Sequence, residues 1–64
     1  SKLSEEDAWE ILVLYYEGDA DSVLWTVLEL STEFDIGRGT VTDLIYGRTW
    51  KSLYDEFWGE EDSK

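Results

Sequence analysis

The side chains that most often carry out catalysis are scarce in this sequence of 64 residues. It contains no His and no Cys, so the usual proton shuttle, the commonest metal ligand and the thiolate nucleophile are all missing. Carboxylates that are adjacent in sequence, such as Glu5 and Glu6, indicate solvated charge rather than an acid–base pair. Asp19 and Asp21 lack the rest of a calcium-binding loop. We therefore expect a protein that is not an enzyme and that has no catalytic residue, metal site or cofactor.

The cationic side chains are few, but most of them lie close together in the sequence. The formal net charge of −11 disfavours nucleic acid as a default partner and favours a basic partner or high solubility. That charge divides into −9 for residues 1–36, +2 for residues 37–51 and −4 for residues 52–64. The positive window contains Arg38, Arg48 and Lys51 against Asp43. It is either a preserved binding face for nucleic acid or a coincidence in a chain with few cations.

The first predicted helix spans residues 5–17. Ser4 followed by an acidic residue at Asp7 has the spacing of a capping box, with Asp in place of the usual Glu. Apolar residues then recur at positions 8, 11, 14 and 15, which is a helical period. Gly18 is the residue expected to end this helix, since glycine readily adopts the left-handed conformation found after a helix.

Three further helices are predicted. The second begins at Ser22 or at Thr26 and ends near Phe34; its β-branched residues also suit a strand, but apolar positions 23, 27, 30 and 34 favour a helix. The third covers residues 38–46 before Gly47, and a short fourth helix runs up to Gly59. We therefore expect a single all-α domain of three to four helices in residues 1–58, followed by an acidic C-terminal tail in residues 59–64.

The stretch from position 30 to position 45 carries a specific pattern. It resembles the helix-turn-helix core of phage and bacterial DNA-binding domains, commonly written L-A-x-x-F-G-V-S-x-x-T-V-x-x-I. Residues 3–18 are similar to the first helix of trihelical domains in small regulators and attached to phage nucleases, and residues 47–50 to the G-[KR]-x-W phrase that closes them. The core positions that match in register are Leu30, Phe34, Ile36, Thr40 and Val41, and Ile45 lies one residue beyond the final Ile of the pattern.

This resemblance implies a trihelical helix-turn-helix domain, with another small helical bundle or a mixed α/β domain as the alternatives. The turn after Phe34 often needs a left-handed residue, and Asp35 tolerates that conformation well. Gly37 stands where a serine usually caps the recognition helix, and it is a weaker cap. The implied location is the cytoplasm (that of the host if the protein is phage-encoded), and no apolar run approaches the roughly 20 residues of a membrane span.

The function implied by the resemblance is binding of double-stranded DNA by a regulator or accessory protein of a phage or mobile element. Three cations allow only about three phosphate contacts, so a monomer would bind weakly. Thr40 has a rival role in satisfying local backbone groups, and Tyr46 has one in packing on Trp50. The residues expected to contact bases or phosphates are Arg38, Gly39, Thr40, Thr42, Tyr46, Arg48 and Lys51.

A second apolar stripe on the first helix suggests an interface. Its members are Trp9, Leu12, Val13 and Tyr16. They either form a homodimer contact, which would double the DNA contacts, or cover the segment at residues 23–25. Two further explanations of the acidity stay open. One is a protein-interaction module that mimics DNA or inhibits a basic nucleic-acid enzyme, and the other is adaptation to high salt in a halophile.

Overall fold

The computed structural model describes residues 3–59, and that part of the chain contains four α-helices and no β-strand. The all-α prediction is therefore confirmed. The predicted acidic tail lies almost entirely outside the described residues, which end at Gly59 just after the last helix. Among residues 3–59 the longest helix has 12 residues, and none has the length and apolar character of a membrane span. The helices are α1 (Glu5–Tyr16), α2 (Val27–Phe34), α3 (Arg38–Ile45) and α4 (Lys51–Trp58).

Both ends of α1 follow from local sequence. Ser4 is extended, and its side-chain oxygen accepts a hydrogen bond from the Asp7 N–H at 3.2 Å, as the capping spacing predicts. At the other end the N–H groups of Glu17 and Gly18 both donate to the Val13 carbonyl, at 2.8 and 2.9 Å. Gly18 has a φ of +97°, which a residue with a side chain rarely adopts. The glycine therefore ends the helix and turns the chain into the next loop.

The loop after α1 is organised by the carboxylate of Asp19. One of its oxygens accepts from the Asp21 N–H at 2.8 Å and from the Val23 N–H at 3.1 Å. The other accepts from the indole N–H of Trp25 at 3.2 Å. The hydrogen bond from the Val23 N–H, which has the larger effect, and the one from the Asp21 N–H lower the pKa of Asp19 below its ordinary value, because they stabilise the charged form.

The lowered pKa of Asp19 predicts a pH-dependent contribution to stability. A carboxylate with a lowered folded pKa stabilises the fold fully above its ordinary pKa, near 3.8, and this contribution is lost as the pH falls through the folded value. We expect Asp19→Asn to reduce the melting temperature at about pH 6, and the difference from the parent to shrink below about pH 4. Thermal unfolding followed by circular dichroism at several pH values measures it. Asp21→Asn removes the same charge from a carboxylate outside this network, so a similar profile for both variants would contradict the assignment.

Thr26, and not Ser22, is the N-cap residue at the start of α2. The hydroxyl of Thr26 accepts from the Glu29 N–H at 3.2 Å, and the Glu29 carboxylate accepts from the Thr26 N–H at 2.9 Å, which completes a reciprocal capping box. Ser22 cannot begin the helix, because it is left-handed with a φ of +64° and Asp19 already holds the Val23 N–H. Residues 23–25 form neither helix nor strand, and the Trp25 N–H donates to the Leu14 carbonyl at 3.1 Å.

One hydrophobic core joins all four helices. Its α3 members are spaced three and four apart, which places them on one side of that helix. Partly buried side chains pack around this centre, including Phe34 at the end of α2 and Ile36 in the turn. The buried core residues are Ala8, Ile11, Leu12, Leu14, Leu30, Val41, Leu44, Ile45 and Leu53.

The interface predicted on the second stripe of α1 needs a correction at Leu12. That side chain is fully buried, so it belongs to the core and cannot contribute to a surface contact. The ring contacts that Trp9 and Tyr16 make with other helices are with α4, and Tyr16 also lines a surface pocket together with Leu24 and Trp25. Trp9 meets the edge of Phe57 at 5.4 Å between ring centroids, and Tyr16 meets Trp58 at 4.9 Å. Contact of Trp9, Val13 and Tyr16 with a second copy of the chain stays a prediction.

Candidate nucleic-acid interface

The solvent-facing side of α3 can be identified from the residues that the helix buries in the core. Val41, Leu44 and Ile45 are buried, so the residues on the other side of the helix face solvent. Gly39, Asp43 and Tyr46 follow one another at spacings of four and three, which places them together on that exposed side. Of these, Tyr46 is 55% exposed. The central side chain of this face is therefore an acidic residue flanked by a glycine and a tyrosine.

The N-terminal turn of α3 is open to solvent. Arg38, Gly39 and Thr40 are all exposed, and a Cβ added at Gly39 would meet no atom within 4 Å. Gly37 is the N-cap residue and offers no side-chain oxygen, so α3 lacks the side-chain cap that Ser4 and Thr26 give to α1 and α2. The first N–H groups of α3 and the Arg38 guanidinium thus point to a surface suited to anionic groups.

Hydrogen bonding to local backbone groups is the rival role predicted for Thr40. The structure shows a bond of this kind at Thr42. The Thr42 hydroxyl donates to the Arg38 carbonyl one turn back, at 2.9 Å, and the side chain is half-buried. Its proton is therefore engaged within the helix, although its oxygen can still accept a hydrogen bond. Thr40 is the more exposed of the two threonines.

Arg48 is held beside the exposed end of α3. Its guanidinium lies 3.4 Å from the carboxylate of Asp43 and 5.9 Å from the ring centre of Tyr46. Its backbone N–H donates to the Asp43 carbonyl at 2.8 Å. The side chains of this ion pair are 69% and 43% exposed, so the attraction is worth only about 0 to 1 kcal/mol. Arg48 can therefore leave Asp43 and bind another anion with little loss of free energy.

Lys51 is placed by the tight turn between α3 and α4. Gly47 has a φ of +78°, and the ring of Tyr54 packs directly against it; a Cβ at Gly47 would lie 2.8 Å from that ring. Trp50 is also left-handed, at φ +53°, immediately before α4 begins at Lys51. Two left-handed residues and one close ring contact thus fix the direction of α4, and they leave the Lys51 side chain exposed.

The predicted contact residues form two groups rather than one. Arg48 and Tyr46 lie together near the C-terminal end of α3, with Lys51 three residues beyond Arg48. Arg38 and Gly39 lie at the opposite end of this eight-residue helix, about 12 Å away along its axis. Tyr46 contacts the guanidinium of Arg48, whereas the sequence offers packing on Trp50 as its alternative role. The three cations are the only ones in the described part of the chain.

Asp43 is the residue at this surface whose role sequence reasoning missed. In the sequence it is one negative charge within the positive window at residues 37–51. The structure places it in the middle of the outward face of α3 and pairs it with Arg48. Acidic and basic side chains five positions apart across a glycine were the available signal, but this signal is weak without knowledge of the turn at Gly47.

Comparison with known proteins identified no relative of this chain. No protein-family model, curated protein or solved structure matches the chain. What can be stated of its class is that residues 3–59 form a small all-α domain of four helices, with exposed cations at the start of α3, in the turn after it and at the start of α4. In residues 3–59, no three His, Cys, Asp or Glu side chains gather in an arrangement that could hold a metal ion.

Proposed function

We propose that this protein binds duplex DNA through α3 and the turn after it, as a small helix-turn-helix regulator or DNA-binding accessory of a phage or mobile element. The observation that carries the proposal is the charge distribution. Every cation in residues 3–59 is exposed and lies between positions 38 and 51, at the start of α3, in the turn beyond it and at the start of α4. On this proposal α3 enters the major groove, and the three cations hold the phosphate backbone.

The connection between α2 and α3 supports the helix-turn-helix interpretation. Three residues separate the helices, and the first, Asp35, is left-handed at φ +56°. The Ile36 N–H then donates back to the Ser31 carbonyl at 3.0 Å. Leu30 and Val41 are fully buried in one core that also receives Phe34 and Ile36. A short turn with this packing is what two crossing helices of such a motif require.

The number of cations limits the strength of binding. Three phosphate contacts give a dependence of log K on log salt no steeper than about −3, and the acidic remainder of the chain makes it shallower. Asp43 reduces the positive potential further, because it sits on the same face and pairs with Arg48. Binding by a monomer is therefore weak, and association of two copies would double the contacts.

Fluorescence anisotropy with a labelled duplex of about two helical turns tests the proposal between about 25 and 200 mM salt. The double variant Arg38→Ala/Arg48→Ala is expected to weaken binding at low salt and to make the salt slope shallower by about 2, because two phosphate contacts are lost. Asp43→Asn is expected to strengthen binding, since it removes the negative charge from the centre of the face and releases Arg48.

The matched control is Asp21→Asn, which removes one negative charge from the exposed loop before α2. A gain in affinity as large as that of Asp43→Asn would show that only total charge matters. Absence of binding by the parent at low salt, or a slope unaffected by the two arginines, would remove the DNA proposal. The protein-interaction module would then be the better account of the acidity.

A further inference from the structure

An open groove lies between α1 and α4, and none of the residues proposed to contact DNA lines it. Its volume is about 540 Å³ and its floor is apolar. The floor consists of Trp9 and Val13, one turn apart on α1, and Leu53 on α4. Trp9 is 37% exposed, and its ring is held by the edge contact with Phe57 at 5.4 Å. The floor therefore offers a fixed aromatic surface with room beside it for an apolar side chain.

Every charged residue that the structure describes at the rim of this groove is acidic. It carries four carboxylates: Glu5, Glu6, Glu10 and Glu56. Favourable interaction with the dipole of α1 explains the two in its first turn, but it does not explain Glu10 in the middle of α1. It also does not explain Glu56, in the C-terminal half of α4, where the dipole disfavours negative charge. No ion pair within residues 3–59 involves these four side chains.

We propose that this groove binds a basic amphipathic helix of another protein. An apolar side chain of the partner would rest against Trp9 and Val13, and Lys or Arg side chains on either side of it would meet the carboxylates. The floor and rim on α1 extend from position 5 to position 13, about 12 Å, which matches two turns of a partner helix. The inference goes beyond the DNA proposal, since it uses none of the same residues.

The charge of the rim favours a cationic partner over a second copy of this chain, so the homodimer predicted through Trp9 and Val13 is the rival outcome of the test below. A symmetric dimer through the groove would place the same four carboxylates of each copy opposite those of the other, and none of the described residues that line the groove is a cation. Like charges brought together in this way disfavour association. Nucleic acid is disfavoured at this groove for the same reason. A cationic helix is the partner whose charge complements the rim.

Binding can be tested with a labelled synthetic helix of about 14 residues, made only of Leu and Lys with the Leu residues on one face. The double variant Glu10→Gln/Glu56→Gln keeps the shape of both exposed side chains and should fold normally. We expect it to weaken binding of this peptide by about tenfold or more at low salt. Trp9→Ala should weaken binding as well, and backbone amide shifts should map to residues lining the groove.

Two controls separate the groove from general attraction to an acidic protein. Glu17→Gln/Asp21→Asn removes two charges from exposed positions that do not line the groove, and it should change the affinity less than about threefold. A peptide of the same composition without an apolar face should bind more weakly to the parent. Equal losses in both double variants, absence of peptide binding, or a dimer in sedimentation that Trp9→Ala dissolves would each overturn the proposal. Duplex binding by Arg38→Ala/Arg48→Ala is measured in parallel, so the two proposals can fail separately.

Discussion

Replacing Leu12 with alanine is expected to lower the free energy of unfolding by about 2 to 5 kcal/mol. The side chain is fully buried in the core that joins the four helices, so the change removes apolar contacts and leaves a cavity. The single core of a domain of this size rarely supplies more than about 3 to 5 kcal/mol of stability. Much of the variant should therefore be unfolded at 25 °C, and urea titration followed by circular dichroism measures the loss.

This substitution distinguishes a core residue from an interface residue. If Leu12 lay in a dimer contact, alanine would change the sedimenting mass at moderate concentration and would hardly alter the stability of the monomer. Leu28→Ala is the matched control, because Leu28 is 58% exposed on α2 and its loss should change stability by less than about 0.5 kcal/mol. Equal stabilities for the two variants would contradict the burial of Leu12.

The features that the sequence predicted well are those set by neighbouring residues. The cap at Ser4, the left-handed residue at Asp35 and the glycine ends at Gly18 and Gly47 all depend on groups within a few positions. Local hydrogen bonding and steric limits on φ decide such features before tertiary packing does. The all-α class was accessible in the same way, because the apolar period of α1 and α3 needs no information about distant contacts.

The features that escaped prediction depend on residues far apart in the chain. The apolar stripe on α1 was clear in the sequence, but nothing local shows that Phe57 and Trp58 of α4 pack against it. The start of α2 had two acceptable sites, and the hydrogen bonds of the Asp19 carboxylate exclude the earlier one. The position of Asp43 against Arg48 likewise depends on the direction that the chain takes after Gly47.

The net charge of the chain indicates different partners once the charged residues are located on the fold. Counted as one property, −11 disfavours nucleic acid; placed on the structure, the described cations fall along α3 and its exit, and four carboxylates fall around one apolar groove. Each surface suits a different partner, since phosphate attracts the first and a basic helix the second. The proposed DNA binding is compatible with most of the acidity, because Asp43 is the single carboxylate between positions 38 and 51, where the described cations lie.

Gly18→Ala is the backbone substitution with the largest expected effect, a loss of about 2 to 4 kcal/mol. An alanine here would have to hold a φ of +97°, and its Cβ would lie 2.9 Å from the carbonyl carbon of Ser22 and 3.1 Å from backbone atoms of Val23. Backbone atoms cannot rotate away as a flexible side chain can. The loop held by Asp19 must therefore shift, which would also disturb the hydrogen bond between the Asp19 carboxylate and the Trp25 indole.

Gly39→Ala is the matched control, and its expected effect has the opposite sign. Gly39 lies inside α3 with no atom within 4 Å of an added Cβ, so alanine should stabilise the protein by about 0.5 to 1 kcal/mol by reducing the freedom of the unfolded chain. Urea unfolding of both variants gives the two differences directly. A Gly18→Ala protein as stable as the parent would show that the close approach of the Ser22 backbone to Gly18 is wrong. Destabilisation by Gly39→Ala would instead place α3 against a neighbour that fills the space beside Gly39.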